Sequence, residues 1–265
     1  MKVYKGTNKD MQCTPDGKVF QYEQGVTYEK PEAKLCKHGF HACEAPLDVL
    51  GYYPPGNGSR YFEAELEDVS PERGDDTKVC GKKITLGAEI GIPGLVKAHV
   101  EYVKSKCEEH KSGGDWSALT GGYGSALTGG DGSALTGGYR SALTGGDGSA
   151  LTGGYRSALT GGDWSALTGG DRSALTGGYG SALTGGDRSA LTGGDGSALT
   201  GGYGSALRGG AGSRFRGGMW TVFAAEIRDN EGKLVGVKAG VVDGETLKPA
   251  VWYTLKDGEF VEVKP

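Results

Sequence analysis

Between Gly113 and Arg208 a leucine recurs at every eighth residue, always inside the tetrad Ser-Ala-Leu-Thr and always preceded at a distance by two glycines. The only departure in the tetrads is Arg208 in place of Thr. The tetrad alternates with period two. Ser and Leu share one face of a short strand, and Ala and Thr share the other. A period of eight is too short for a helix-pair repeat, and paired glycines in every unit are incompatible with a coiled coil. A flexible Gly/Ser linker has no use for an invariant leucine, whereas a stacked solenoid needs one apolar side chain per strand to build its core. The pattern therefore predicts a β-solenoid in which each octet Gly-Gly-X-X-Ser-Ala-Leu-Thr is a strand and a corner.

The variable positions set the coil length. At the fourth octet position, one alternate set reads Gly124, Arg140, Arg156, Arg172, Arg188, Gly204, and the other reads Trp116, Gly132, Gly148, Trp164, Gly180, Gly196. At the third position Tyr123, Tyr139, Tyr155 and Tyr203 fall in one set, and Asp115, Asp131, Asp147, Asp163 and Asp195 in the other, interrupted by Tyr179. Sorting of this kind requires two octets, or 16 residues, per coil. Twelve octets then make about six coils and a rod roughly 29 Å long. Ser and Leu point inward, Ala and Thr leave two flat outer faces, and Tyr and Asp sit near the corners. The tyrosine stack Tyr123, Tyr139, Tyr155 and Tyr203 is a candidate interface between copies, giving an expected homo-oligomer.

The flanks have ordinary complexity. Residues 1–112 read as a small α+β domain with strands at Lys2–Lys5, Lys18–Tyr22, Arg60–Glu67 and Lys82–Leu86. A short helix is expected from Pro46 to Tyr53, and a longer one over Pro93–Glu109 with Val96, Val100, Val103 and Cys107 on one face. Residues 219–265 read as a β-meander that caps the solenoid, with strands at Trp220–Arg228, Lys233–Val242, Val251–Leu255 and Glu259–Val263. Its turns are Asn230-Glu231-Gly232, Asp243-Gly244 and Asp257-Gly258. The chain is thus expected to be mainly β, with an N-terminal domain at 1–112, the solenoid at 113–218 and a cap at 219–265.

Composition narrows the function. Most of the 52 glycines lie in the repeat, without the three-residue period of collagen. The net charge of -4 argues against broad nucleic-acid binding. No apolar run reaches membrane-spanning length, and none at the start resembles a secretion signal. Cys13, Cys36, Cys43, Cys80 and Cys107 are odd in number, so reduced thiols in the cytosol of a host cell are expected.

Three groupings carry possible chemistry. Arg140, Arg156, Arg172 and Arg188 would stand one strand separation apart on a corner, a candidate groove for a small anion or an acidic partner. Cys36, His38, His41 and Cys43 are zinc-ligand types, but lack the usual knuckle spacing; a turn at Gly39 with Phe40 and Cys43 buried and His41 near a cleft is favoured, and no metal is expected. Glu63 and Glu65 alternate on a strand with Glu67, the pattern of a solvated face. No phosphate loop, nucleophile elbow or zincin signature is present, and no cofactor is expected.

The octet, as in Gly-Tyr-Gly-Ser-Ala-Leu-Thr at 122–128, resembles that of bacterial ice-nucleation proteins. The resemblance implies a solenoid of 16-residue coils with a tyrosine ladder, and ice binding through Ala/Thr faces as an alternative function. The flanks resemble an uncharacterised module of phage and prophage proteins, in Lys2-Val-Tyr-Lys-Gly-Thr7, Gly39-Phe-His-Ala-Cys-Glu-Ala-Pro-Leu-Asp-Val49, Arg60-Tyr-Phe-Glu-Ala-Glu-Leu66, and Val241-Val-Asp-Gly-Glu-Thr246 with Val251-Trp-Tyr253. That resemblance implies a phage accessory protein that counters a host defence by binding. The order Tyr4-Lys-Gly-Thr7, Gly39-Phe-His41 and Glu63-Ala-Glu65 also resembles ADP-ribosyltransferase folds, with Lys5 where an arginine is usual. It implies a second alternative, an enzyme using Glu63, Glu65 and His41. The favoured expectation is a non-enzymatic β-solenoid binding protein.

Overall fold

The computed structural model describes residues 1–14, 18–73, 76–105, 109–229 and 231–264. The chain is mainly β, with 45% strand and 9% helix. It divides into two compact units, Met1–Ala98 and His99–Pro265.

The first unit is built on an antiparallel sheet. Its strands are β1 (Lys2–Thr7), β4 (Thr27–Glu29), β5 (Phe40–Cys43), β6 (Arg60–Val69) and β7 (Lys78–Glu89), in the order β4-β7-β5-β1-β6. A two-stranded ribbon, β2 (Gln12–Cys13) with β3 (Phe20–Gln21), stands beside it. The core comprises Val3, Tyr22, Phe40, Phe62, Leu66, Val79, Ile84 and Leu86. The short helix expected from Pro46 is a 3-10 helix, Pro46–Gly51. The turn at Gly39 takes a positive φ of 97°, and Phe40 and Cys43 behind it are buried. The helix α1 (Gly91–Ser105) starts the second unit at His99. There Val103, with Val100 and Tyr102, packs on Ala126, Ala142 and Ala158 of the solenoid. Cys107 lies outside the described residues, and so does Asn230.

In the second unit the twelve octets carry strands β9 (Ala118–Thr120) to β20 (Ala206–Gly209), one each. Alternate strands pair in parallel with residues offset by 16, as Leu127 with Leu143 and Leu135 with Leu151. Two parallel sheets result, and the leucines between them are 0–1% exposed from Leu127 to Leu207. From Ser125 to Ser205 each serine is buried beside them, its hydroxyl donating to a corner carbonyl, as Ser141 Oγ does to Gly138 O at 2.9 Å.

The solenoid has about seven coils rather than six. Sequence outside the exact repeat continues it at both ends. β8 (Glu109–Ser112) pairs in parallel with Ser125–Thr128. β21 (Arg214–Gly217) and β22 (Val222–Arg228) extend the two sheets, with Phe215 and Phe223 in the leucine position. The C-terminal cap is divided rather than a single meander. β23 (Leu234–Val241) forms a hairpin with β22 on one sheet, while β24 (Trp252–Lys256) and β25 (Glu259–Glu262) form a hairpin on the other. Phe215, Phe223, Tyr253 and Phe260 close the core with edge and stacked contacts.

Candidate functional site

The corners determine the character of the solenoid surface. The second glycines stack at hydrogen-bond distance, Gly130 N donating to Gly114 O at 3.0 Å and Gly146 N to Gly130 O at 3.1 Å. A Cβ on Gly138 would lie 2.9 Å from the carbonyl carbon of Gly122, so only glycine lets successive corners approach. The aspartates of one corner close the same gap. Asp131 Oδ1 accepts from Asp147 N at 2.9 Å, Asp147 Oδ1 from Asp163 N at 2.8 Å, and Asp163 Oδ1 from Tyr179 N at 2.7 Å. Each carboxylate thereby serves a backbone donor of the next coil that has no partner within its own corner.

The fourth octet position takes a left-handed backbone throughout. Glycine meets this conformation without strain, but Arg140, Arg156, Arg172 and Arg188 also adopt it, at φ of 55–57°. Trp116 and Trp164 adopt it at 59° and 60°. For a residue with a Cβ this costs about 1–2 kcal/mol. The tryptophans lie over the glycine one coil on: a Cβ at Gly132 would be 2.5 Å from the Trp116 ring, and one at Gly180 2.7 Å from that of Trp164.

On the opposite corner the tyrosines and arginines interleave. Tyr123 and Tyr139 stack with centroids 5.2 Å apart, and Tyr139 and Tyr155 at 5.3 Å. The Arg140 guanidinium lies 5.1 Å from the Tyr139 centroid and donates to the Tyr123 hydroxyl at 3.2 Å. Arg156 and Arg172 lie 5.2 and 5.8 Å from the Tyr155 centroid. Arg156 is buried at 3% exposure, while Arg140, Arg172 and Arg188 are partly exposed. Among the described residues neither Arg140 nor Arg188 makes an ion pair. Tyr203 stands apart from the ladder because Asp171 and Asp187 hold the two intervening positions. Tyr179 belongs to the other corner, edge-on to Trp164 at 5.0 Å.

The outer faces differ although their sequences are alike. Ala134, Ala150, Ala166 and Ala182, with Thr136, Thr152, Thr168 and Thr184, form an exposed array on one sheet, whereas Ala142 and Ala158 on the other are buried.

The structure does not gather Glu63, Glu65 and His41 into one site. β1 separates β6 from β5, the strand of His41. Glu63 is bonded to Lys2 at 2.8 Å, and Glu65 and Glu67 are exposed. His41 Nε2 accepts from the Cys36 backbone N–H at 2.9 Å. Among the described residues no group of three or more His, Cys, Asp or Glu side chains is arranged to hold a metal ion. His41 does border a cleft of about 300 Å³, together with Lys5, Tyr22 and Tyr53. The sequence marks Lys5 only by its place in Tyr4-Lys-Gly, because a strand pattern does not show that a lysine points inward.

A family model described as a domain of unknown function (DUF7666) matches residues 1–98, the extent of the first compact unit. Neither the curated proteins nor the solved structures contain a match.

Proposed function

We propose that this chain is a non-enzymatic binding protein whose solenoid presents the Tyr–Arg corner to an acidic protein partner. The observation that carries this reading is the run of four arginines at left-handed positions. Gly124 and Gly204 occupy the same stack without strain, so arginine stands there against a local cost. Tyrosine rings hold the guanidinium groups of Arg140, Arg156 and Arg172 in place, which lowers the entropy lost when a partner binds. The same rings supply apolar area, and self-association through Tyr123, Tyr139 and Tyr155 is the homo-oligomer form of the same reading. The phage-module resemblance of the flanks favours a partner from a host cell.

The test uses polyglutamate as an acidic probe, titrated against the full chain at low ionic strength. The net charge of -4 opposes such binding, so binding isolates a local basic surface. The variant combines Arg140→Gly, Arg172→Gly and Arg188→Gly, each installing the residue that suits the backbone. The variant is expected to fold and to bind at least about tenfold more weakly. Equal binding by the variant would remove the corner from the function.

A further inference from the structure

The cleft in the first unit has a chemistry unlike the rest of this acidic chain. Three lysines, Lys5, Lys37 and Lys78, border it together with four tyrosines, and no Asp or Glu is among its described lining residues. Lys5 lies deepest. It is 6% exposed, and its Nζ donates to the His41 carbonyl at 2.8 Å. The ammonium lies 5.5 Å from the Tyr22 ring centroid and 5.9 Å from that of Tyr53. Among the described residues no carboxylate pairs with it. A buried ammonium compensated only by a carbonyl and aromatic faces is held at a cost, which a bound anion would offset.

The arrangement is built into the backbone. A Cβ at Gly6 would lie 2.6 Å from the Tyr53 ring, so the glycine after Lys5 is what lets that ring rest against β1. The volume of about 300 Å³ is at the lower end for small-molecule sites. That volume is enough for one ring system and one anionic group.

We infer that this cleft binds a nucleoside monophosphate, its phosphate on Lys5 and its base against the rings of Tyr52 and Tyr53, the two lining tyrosines that are not buried. Lysine serves phosphate as a compact point charge, and a tyrosine face stacks on any base. Burial disfavours the charged form and holds the Lys5 amine below the ordinary lysine range, and a phosphate seated beside it would raise it again.

Calorimetric titration of the full chain with AMP, GMP, CMP and UMP tests this, with adenosine and inorganic phosphate as the separated halves. At least one monophosphate is expected to bind with a dissociation constant below about 1 mM, and each half of it at least tenfold more weakly. Lys5→Met keeps the apolar stem and removes the charge; it is expected to retain the wild-type melting profile and lose binding at least tenfold. In the unmodified protein, the bound monophosphate should also protect Lys5 from reductive methylation, mapped by mass spectrometry, which needs no variant. Failure of all four monophosphates to bind saturably, undiminished binding by the methionine variant, or unprotected Lys5 would each overturn the inference. The corner variant Arg140→Gly/Arg172→Gly/Arg188→Gly is expected to bind monophosphate normally, so the two proposals fail separately.

Discussion

Two glycines at the same octet position should respond differently to the same methyl group. Gly114 and Gly146 are each the second glycine of an octet, and each precedes an aspartate. A Cβ on Gly114 meets nothing within 4 Å, because no coil of the repeat lies on that side. A Cβ on Gly146 would overlap Asp131 Oδ1 and lie 2.9 Å from Asp131 N and 3.0 Å from the Gly130 carbonyl carbon. Moving Asp131 aside would not suffice, since two of the three atoms are backbone. It would also break the 2.9 Å bond from Asp147 N to Asp131 Oδ1. Overpacking costs about 1–3 kcal/mol, and the lost bond about 0.5–1.5 kcal/mol. Gly146→Ala should therefore destabilise by about 1.5–4.5 kcal/mol. Neither glycine has a positive φ, so Gly114→Ala gains the small benefit of a stiffer unfolded chain, about 0.4–1 kcal/mol. Urea unfolding followed by circular dichroism would measure both. Equal midpoints for the two variants would refute the claim that close approach of successive coils, rather than turn flexibility, keeps the glycine pair.

Leu183, 1% exposed at the middle of the rod, should cost about 2–5 kcal/mol when replaced by alanine; Leu119, only partly buried in the first octet, should cost markedly less by the same urea assay. Arg60 grips Glu89 with two bonds, of 2.6 and 3.0 Å, which hold the Glu89 carboxyl below its ordinary 4.5. A depressed folded pKa gives stability that is present above 4.5 and lost as pH falls through the folded value. The pair is exposed, so Glu89→Gln should cost no more than about 1 kcal/mol at neutral pH, with the difference closing in acid; a gap unchanged between pH 7 and strong acid would contradict the pairing.

The legible part of this protein is its periodic part. A leucine every eight residues and the sorting of Arg from Trp every 16 are direct consequences of stacking, because each residue meets its own equivalent one coil away. The strand, the coil length and the inward Ser and Leu follow from that without further information. The paired glycines were legible as corners, but their reason, a backbone carbon 2.9 Å from where a Cβ would stand, appears only when the coils are superposed in space. The same holds for the aspartates, whose partners are backbone donors 16 residues on.

Aperiodic contacts were not legible. Both Ala/Thr faces have one sequence, yet Val103 covers Ala142 and Ala158 on one, and the other stays open. Phe215 and Phe223 continue the leucine column although the octet around them has decayed, because the column requires apolar volume rather than a particular residue. Lys5 is the sharpest case. Its sequence neighbours describe an ordinary strand, and only the return of Tyr22, His41 and Tyr53 from distant segments buries its ammonium in an aromatic cleft. By itself the sequence determined the solenoid, since a repeat carries its own contact map in its period. The tertiary structure alone decided which face is free and where a buried charge awaits a counter-ion, because those contacts join residues that no period relates.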